Sequence, residues 1–146
     1  MRLFLTLALA TVPMFAGALT LQVDDVKSND GTLVAHITAC HSPEKTTVTA
    51  FAEGVVNGKR QTIALKVVRL SEHLSGRGAF AVAHDWPREG AWVVKLIATN
   101  PEYKNYSTAI VVPIREDGAI RAAAKVFYHV PSTEEVDSVL KQTTLE

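Results

Sequence analysis

Few side chains here can do covalent or metal chemistry: the single cysteine, Cys40, and five histidines, His36, His41, His73, His84 and His129. Cys40 and His41 are adjacent, and a thiolate beside an imidazole is a ligand pair suited to copper or zinc. In a regular strand these neighbours point to opposite faces, but Ser42-Pro43 would end a strand there and free His41. Cys40 and His41 are therefore the candidate metal residues; the competing reading is a strand end with one side chain buried and the other wet. His36 shares the strand face of Cys40. Four strand residues span about 13 Å, too far for two ligands of one ion unless the strand bends sharply.

His84-Asp85 invites a dyad reading, since a carboxylate can orient an imidazole for proton transfer. Adjacent strand residues diverge, and no glycine-flanked nucleophilic serine accompanies them. His84 is in phase with Phe80, Val82 and Trp86, which favours a half-buried histidine at the rim of a core. His73 reads as a loop residue and His129 as a strand-end residue, each without a partner. Glu102, Glu116, Asp117, Glu134, Glu135 and Asp137 lie in turns or the tail and lack the spacing of a calcium loop. With no HExxH, CxxC or phosphate-cradling glycine loop, no catalytic or cofactor-binding residue is assigned, and a non-catalytic protein is expected. Tyr103 and Tyr106 flank Lys104-Asn105 in a polar loop, which makes them the candidate partner-binding aromatics.

Residues 2–18, RLFLTLALATVPMFAGA, hold one cation, an apolar run broken by Pro13, and the small-residue pattern Ala16-Gly17-Ala18. That is the build of an export signal cleaved after Ala18, and the run is shorter than the roughly 20 residues a spanning helix needs. Export to the periplasm or the medium follows, with no membrane span after cleavage. A lone cysteine in an exported chain excludes an internal disulfide. Both methionines, Met1 and Met14, fall in the signal, leaving the mature chain without a thioether ligand. The 146 residues carry 15 basic and 15 acidic side chains without a basic block, which argues against nucleic acid or anionic lipid as partner.

Turn signals at short intervals divide residues 19–130 into pieces that alternate or run apolar over six to ten residues, as strands do. Asn29-Asp30-Gly31 predicts a first hairpin, and Asn57-Gly58, between TTVTAFAEGVV and KRQTIALKVVRL, a second. Residues 74–78, LSGRG, read as another break before GAFAVAH. In AWVVKLIA, Trp92, Val94, Leu96 and Ala98 share one face and Lys95 and Thr99 the other. The same period groups Ile110, Val112 and Ile114; Ile63, Leu65 and Val67; Phe80 and Val82; and Leu33, Ile37 and Ala39. Burying each such side chain contributes about 1.5–3 kcal/mol before chain entropy is subtracted, against well under about 1 kcal/mol for a surface charge pair. Packing between two sheets should decide the fold: an all-β antiparallel sandwich of about seven to eight strands. In residues 131–146 the period changes. Ser132 and Glu135 are spaced as a capping box, and Val136, Val139 and Leu140 give a narrow apolar stripe on a short helix expected to dock on the sandwich.

Asp85-Trp86-Pro87-Arg88-Glu89-Gly90-Ala91-Trp92-Val93-Val94, followed by Lys95-Leu96-Ile97-Ala98, resembles the Pro-x-x-Gly-x-Trp hairpin of exported immunoglobulin-like sandwiches in bacteria, including YtkA-like and CopC-like domains. The resemblance implies an immunoglobulin-like sandwich. It does not extend to the copper ligands of CopC-like proteins, because the expected mature terminus is Leu19 and methionine is absent. The functional expectation is an exported, non-catalytic immunoglobulin-like module that binds or supports another envelope protein. The alternative is a periplasmic copper- or zinc-handling protein using Cys40 and histidines.

Overall fold

A computed structural model describes residues 19–24, 32–39, 41–73, 77–103, 106–114 and 124–144. The expected signal, the Asn29-Asp30-Gly31 turn, Cys40, Asn105 and the Glu116-Asp117-Gly118 turn lie outside the described residues. The chain is an all-β sandwich of two antiparallel sheets with one carboxy-terminal helix. Its elements are β1 (Thr20–Val23), β2 (Leu33–Thr38), a 3-10 turn (Pro43–Lys45), β3 (Thr47–Val56), β4 (Lys59–Leu65), β5 (Val67–His73), β6 (Arg77–Val82), β7 (Ala91–Thr99), β8 (Ser107–Ile114), β9 (Lys125–Phe127) and α1 (Thr133–Thr144). The first sheet has the order β1-β2-β6-β5 and the second β4-β3-β7-β8-β9.

Period-two burial holds where the sequence placed it. Trp92, Val94, Leu96 and Ala98 of β7 and Ile110, Val112 and Ile114 of β8 meet Leu33, Ala35 and Ile37 of β2 and Phe80 and Val82 of β6 in one core. Asn57 and Gly58 both take positive φ, 51° and 74°, the backbone that a two-residue reversal demands when its twist must match the flanking strands; Val56 then pairs with Lys59.

Three expectations need correction. The run from Lys59 to Leu70, read as a single strand, is two: it leaves the edge of the second sheet at Leu65 and joins the edge of the first at Val67. Buried Leu65 and half-buried Val67 keep the apolar alternation across that corner, so the pattern is blind to the change of sheet. His73 ends β5 opposite Arg77 rather than lying in a loop, and the break assigned to residues 74–78 is narrower because Arg77 and Gly78 already belong to β6. Finally, the outer face of β7 is not simply polar.

That outer face carries Val93 and Ile97 besides Lys95, and α1 covers it. Val93, Ala109, Val111 and Phe127 of the sheet bury against Val136, Val139 and Leu140 of the helix, forming a second apolar cluster. The helix start is the expected capping box: the Glu135 amide donates to Ser132 Oγ at 3.3 Å, and the Ser132 amide donates to Glu135 Oε2 at 2.8 Å. A helix this short is marginal alone in water, so docking on the sheet stabilises it.

Candidate functional site

At one end of the sandwich the 3-10 turn meets the loop after β7. Asn100, 3% exposed, organises the junction. Its Nδ2 donates to Ser42 O at 2.9 Å, His41 O at 3.3 Å and Thr46 Oγ1 at 2.9 Å, while its Oδ1 accepts the Glu102 amide at 2.9 Å. Held this way, the His41 amide donates to Tyr103 Oη at 3.1 Å. The His41 and Tyr103 rings stand 6.2 Å apart, and Tyr103 and Tyr106 stand 6.4 Å apart. Lys45 closes the rim through an ion pair to Glu102, and that hydrogen bond holds the Glu102 carboxyl below its usual range.

The structure thus brings His41, a candidate metal residue, beside the candidate partner-binding pair Tyr103 and Tyr106. Both tyrosines pack partly against the core, so their rings serve the fold as well as the surface. The other histidines go elsewhere. His36 pairs with Asp24 at 2.7 Å, His129 bonds both carboxylate oxygens of Glu135, at 3.0 and 2.9 Å, and His84 stacks on Trp86 with centroids 4.1 Å apart. His84 and Asp85 lie beyond the end of β6 at Val82, so the strand alternation read from the sequence does not extend to them. Among the described residues no three ligand-type side chains come within reach of one metal ion.

Residues that sequence reasoning missed lie on the two outer faces. On the second sheet, Glu53 is buried at 5% exposure and makes ion pairs with Lys95 of β7 and Arg60 of β4, while Arg60 also pairs with Asp137 of α1. Burial alone would raise the Glu53 pKa; hydrogen bonds from Lys95 and Arg60 outweigh it and hold the carboxyl below its usual range. The signal was an acid inside the apolar run of β3 and a cation inside that of β7. A groove of about 600 Å³ runs between α1 and the β3–β4 tip, lined by Val55, Arg60, Ala91, Asp137, Leu140 and Lys141.

Among the described residues, β5 is an edge strand of the first sheet. Val68 and Leu70 are 46% and 55% exposed, while Val67 and Arg69 turn inward. The Arg69 guanidinium lies 5.0 Å over the Phe80 ring and donates to Thr46 O at 2.7 Å and Glu44 O at 3.2 Å. It fastens β5 to the 3-10 turn, and hence to the end that carries His41 and Tyr103. A bulge interrupts the β5–β6 register between Arg69 and Ser71. Of the other edges, β1 and β9 are four and three residues long, β9 leaves Val126 42% exposed with Tyr128 and Val130 beyond it at 64% and 53%, and β4 opens with Lys59, Arg60 and Gln61, charged or polar residues of the kind that blunt edges.

Compared with protein-family models and with curated proteins, the chain matches none.

Proposed function

We propose that this chain is an exported, non-catalytic, immunoglobulin-like module that binds another envelope protein through the β5 side of its first sheet. The observation that carries this reading is the pair Val68 and Leu70, large apolar side chains left 46% and 55% exposed on an edge strand. Exposed apolar surface on a sheet edge is costly to solubility, and contact with a partner is the use that repays it. Ala81 and Val34, half-buried, continue the outer face across the sheet from Val68. The export signal expected over residues 1–18 and the Pro-x-x-Gly-x-Trp segment, whose Trp92 is buried and whose Gly90 takes φ 90°, support the immunoglobulin-like assignment. At the loop end, Tyr103 and Tyr106 form a second, smaller contact zone of the same module.

The test is site-specific photocrosslinking in the native envelope. A crosslinker at Val68 should give a discrete protein adduct and one at Gln61, on the opposite polar edge, should not. Equal labelling, or none from Val68, removes the proposal.

A further inference from the structure

We infer that the partner enters as an extended segment that adds to β5 as a fifth strand of the first sheet, an inference that rests on the binding role proposed above and specifies its mode.

The orientation of the β5 backbone follows from two hydrogen bonds. The Ala83 amide donates to Lys66 O at 2.9 Å, and the Asp24 amide donates to Val34 O at 3.1 Å. Hydrogen-bonded and non-bonded positions alternate along an antiparallel pair. Starting from Asp24–Val34, the groups of Val34 and His36 face β1, so those of Leu33 and Ala35 face β6 and meet Val82 and Phe80. Ala81 and Ala83 of β6 then face β5, which agrees with the Ala83–Lys66 bond. On β5, Lys66 and Val68 consequently turn their amides and carbonyls toward β6, and Val67 turns its own outward. The outward amide and carbonyl of Val67 beside the exposed side chain of Val68 ask for backbone hydrogen bonds and an apolar contact from adjacent residues, and an extended chain supplies both at that spacing.

The same geometry fixes the partner's chemistry. Val68 and Lys66 lie on the outer face of the sheet, so an antiparallel segment would set an apolar side chain opposite Val68 and, two residues later in its own direction, an acidic one opposite exposed Lys66. The bulge after Arg69 ends a regular ladder there, which restricts the added strand to a short stretch around Lys66–Val68.

The probe is a proline-free peptide of threonines containing valine two residues before glutamate, with a copy N-methylated on its alternate amides. Amide hydrogen exchange is followed by NMR in the full chain. The expected result is protection of the Val67 amide by at least about tenfold with the first peptide and no change with the N-methylated copy. Val67→Pro removes that amide, so in this variant binding is read from the peptide-induced shift of the Val68 amide, which should disappear while the β6 amides stay protected, since proline is tolerated where an edge amide faces outward. Protection of Val67 by neither peptide, or by both alike, overturns strand addition. Concentration-dependent dimerisation that protects Val67 without peptide also overturns it, by making the occupant a second copy. If the Val68 photoadduct forms in the envelope but Val67→Pro leaves it intact, the mode fails and the binding role stands. If no adduct forms from Val68, the binding role itself fails.

Discussion

Gly54 of β3 lies beneath the indole of Trp92: the two are cross-strand partners, and a Cβ built at position 54 would stand 2.5 Å from both Cδ2 and Cε3 of that ring. The Ala91 carbonyl oxygen, at 2.6 Å, closes the other side. Trp92 is 1% exposed and its Nε1 donates to Glu89 O at 2.7 Å, so the ring cannot swing away without losing that bond. Its place in the core therefore depends on the missing side chain of its neighbour. Gly54→Ala should destabilise the sandwich by about 1–3 kcal/mol, the range for forced overpacking, although alanine has the better intrinsic strand propensity. Urea unfolding measures it; an unchanged or raised midpoint would contradict the contact.

The ion-pair chain beneath α1 separates a buried member from a surface one. Glu53 is 5% exposed and pairs with both Lys95 and Arg60, whereas Arg60 and Asp137 meet with side chains 32% and 38% exposed. Removing one partner of a buried pair costs about 3–5 kcal/mol, and the partial exposure of Arg60 places Glu53→Ala near the lower end. Asp137→Ala should cost under about 1 kcal/mol, as exposed pairs do. Chemical denaturation of the two variants side by side tests the ranking, which would fail if Asp137→Ala were the more damaging.

Acid should expose the same carboxylate. Its pKa in the folded chain lies below the ordinary 4.5 because the hydrogen bonds from Lys95 and Arg60 overcome the opposing effect of burial. A depressed folded pKa contributes stability that is present above the unfolded value and is lost as pH falls through the folded one. Stability should therefore decline as pH drops below about 4.5, and Glu53→Gln should flatten that decline while lowering stability at neutral pH. The hydrogen bond from His129, followed by that from the Ser132 amide, lowers Glu135 as well. An NMR titration of Glu135 should move toward the ordinary carboxyl range in His129→Ala.

What the sequence made legible was local or periodic. The Asn57-Gly58 reversal, the inward face of β7 and the Ser132–Glu135 cap each depend on residues within a few positions of one another, so spacing alone locates them. The strand change at Lys66 was hidden because Leu65 and Val67 face a common core from different sheets, leaving the apolar alternation intact. The Glu53–Lys95 pair and the reach of Arg69 to Glu44 and Thr46 depend on register between segments distant in the chain, which no single-strand pattern encodes. The gathering of His41 with Tyr103 was hidden for the same reason: it is the Asn100 side-chain amide that ties the two loops.

The two tryptophans should respond differently to the same substitution. Both are buried, Trp86 at 5% and Trp92 at 1% exposure, but the Trp86 Nε1 has no hydrogen-bond partner, while that of Trp92 is bonded to Glu89 O. Replacing an indole by a phenyl ring removes volume in both cases and destabilises through the space left behind. At Trp86 it also removes a buried unsatisfied donor, whose presence costs about 1–3 kcal/mol, so the two effects oppose each other and Trp86→Phe should lie within about 1 kcal/mol of the parent chain. At Trp92 the substitution removes a hydrogen bond that is made, to Glu89 O, and the effects add. The stacked His84 retains an aromatic neighbour in Trp86→Phe, which preserves that contact. Thermal unfolding of both variants decides the matter: Trp92→Phe should have the lower Tm, and a larger loss at Trp86 would mean that its indole nitrogen is bonded in solution.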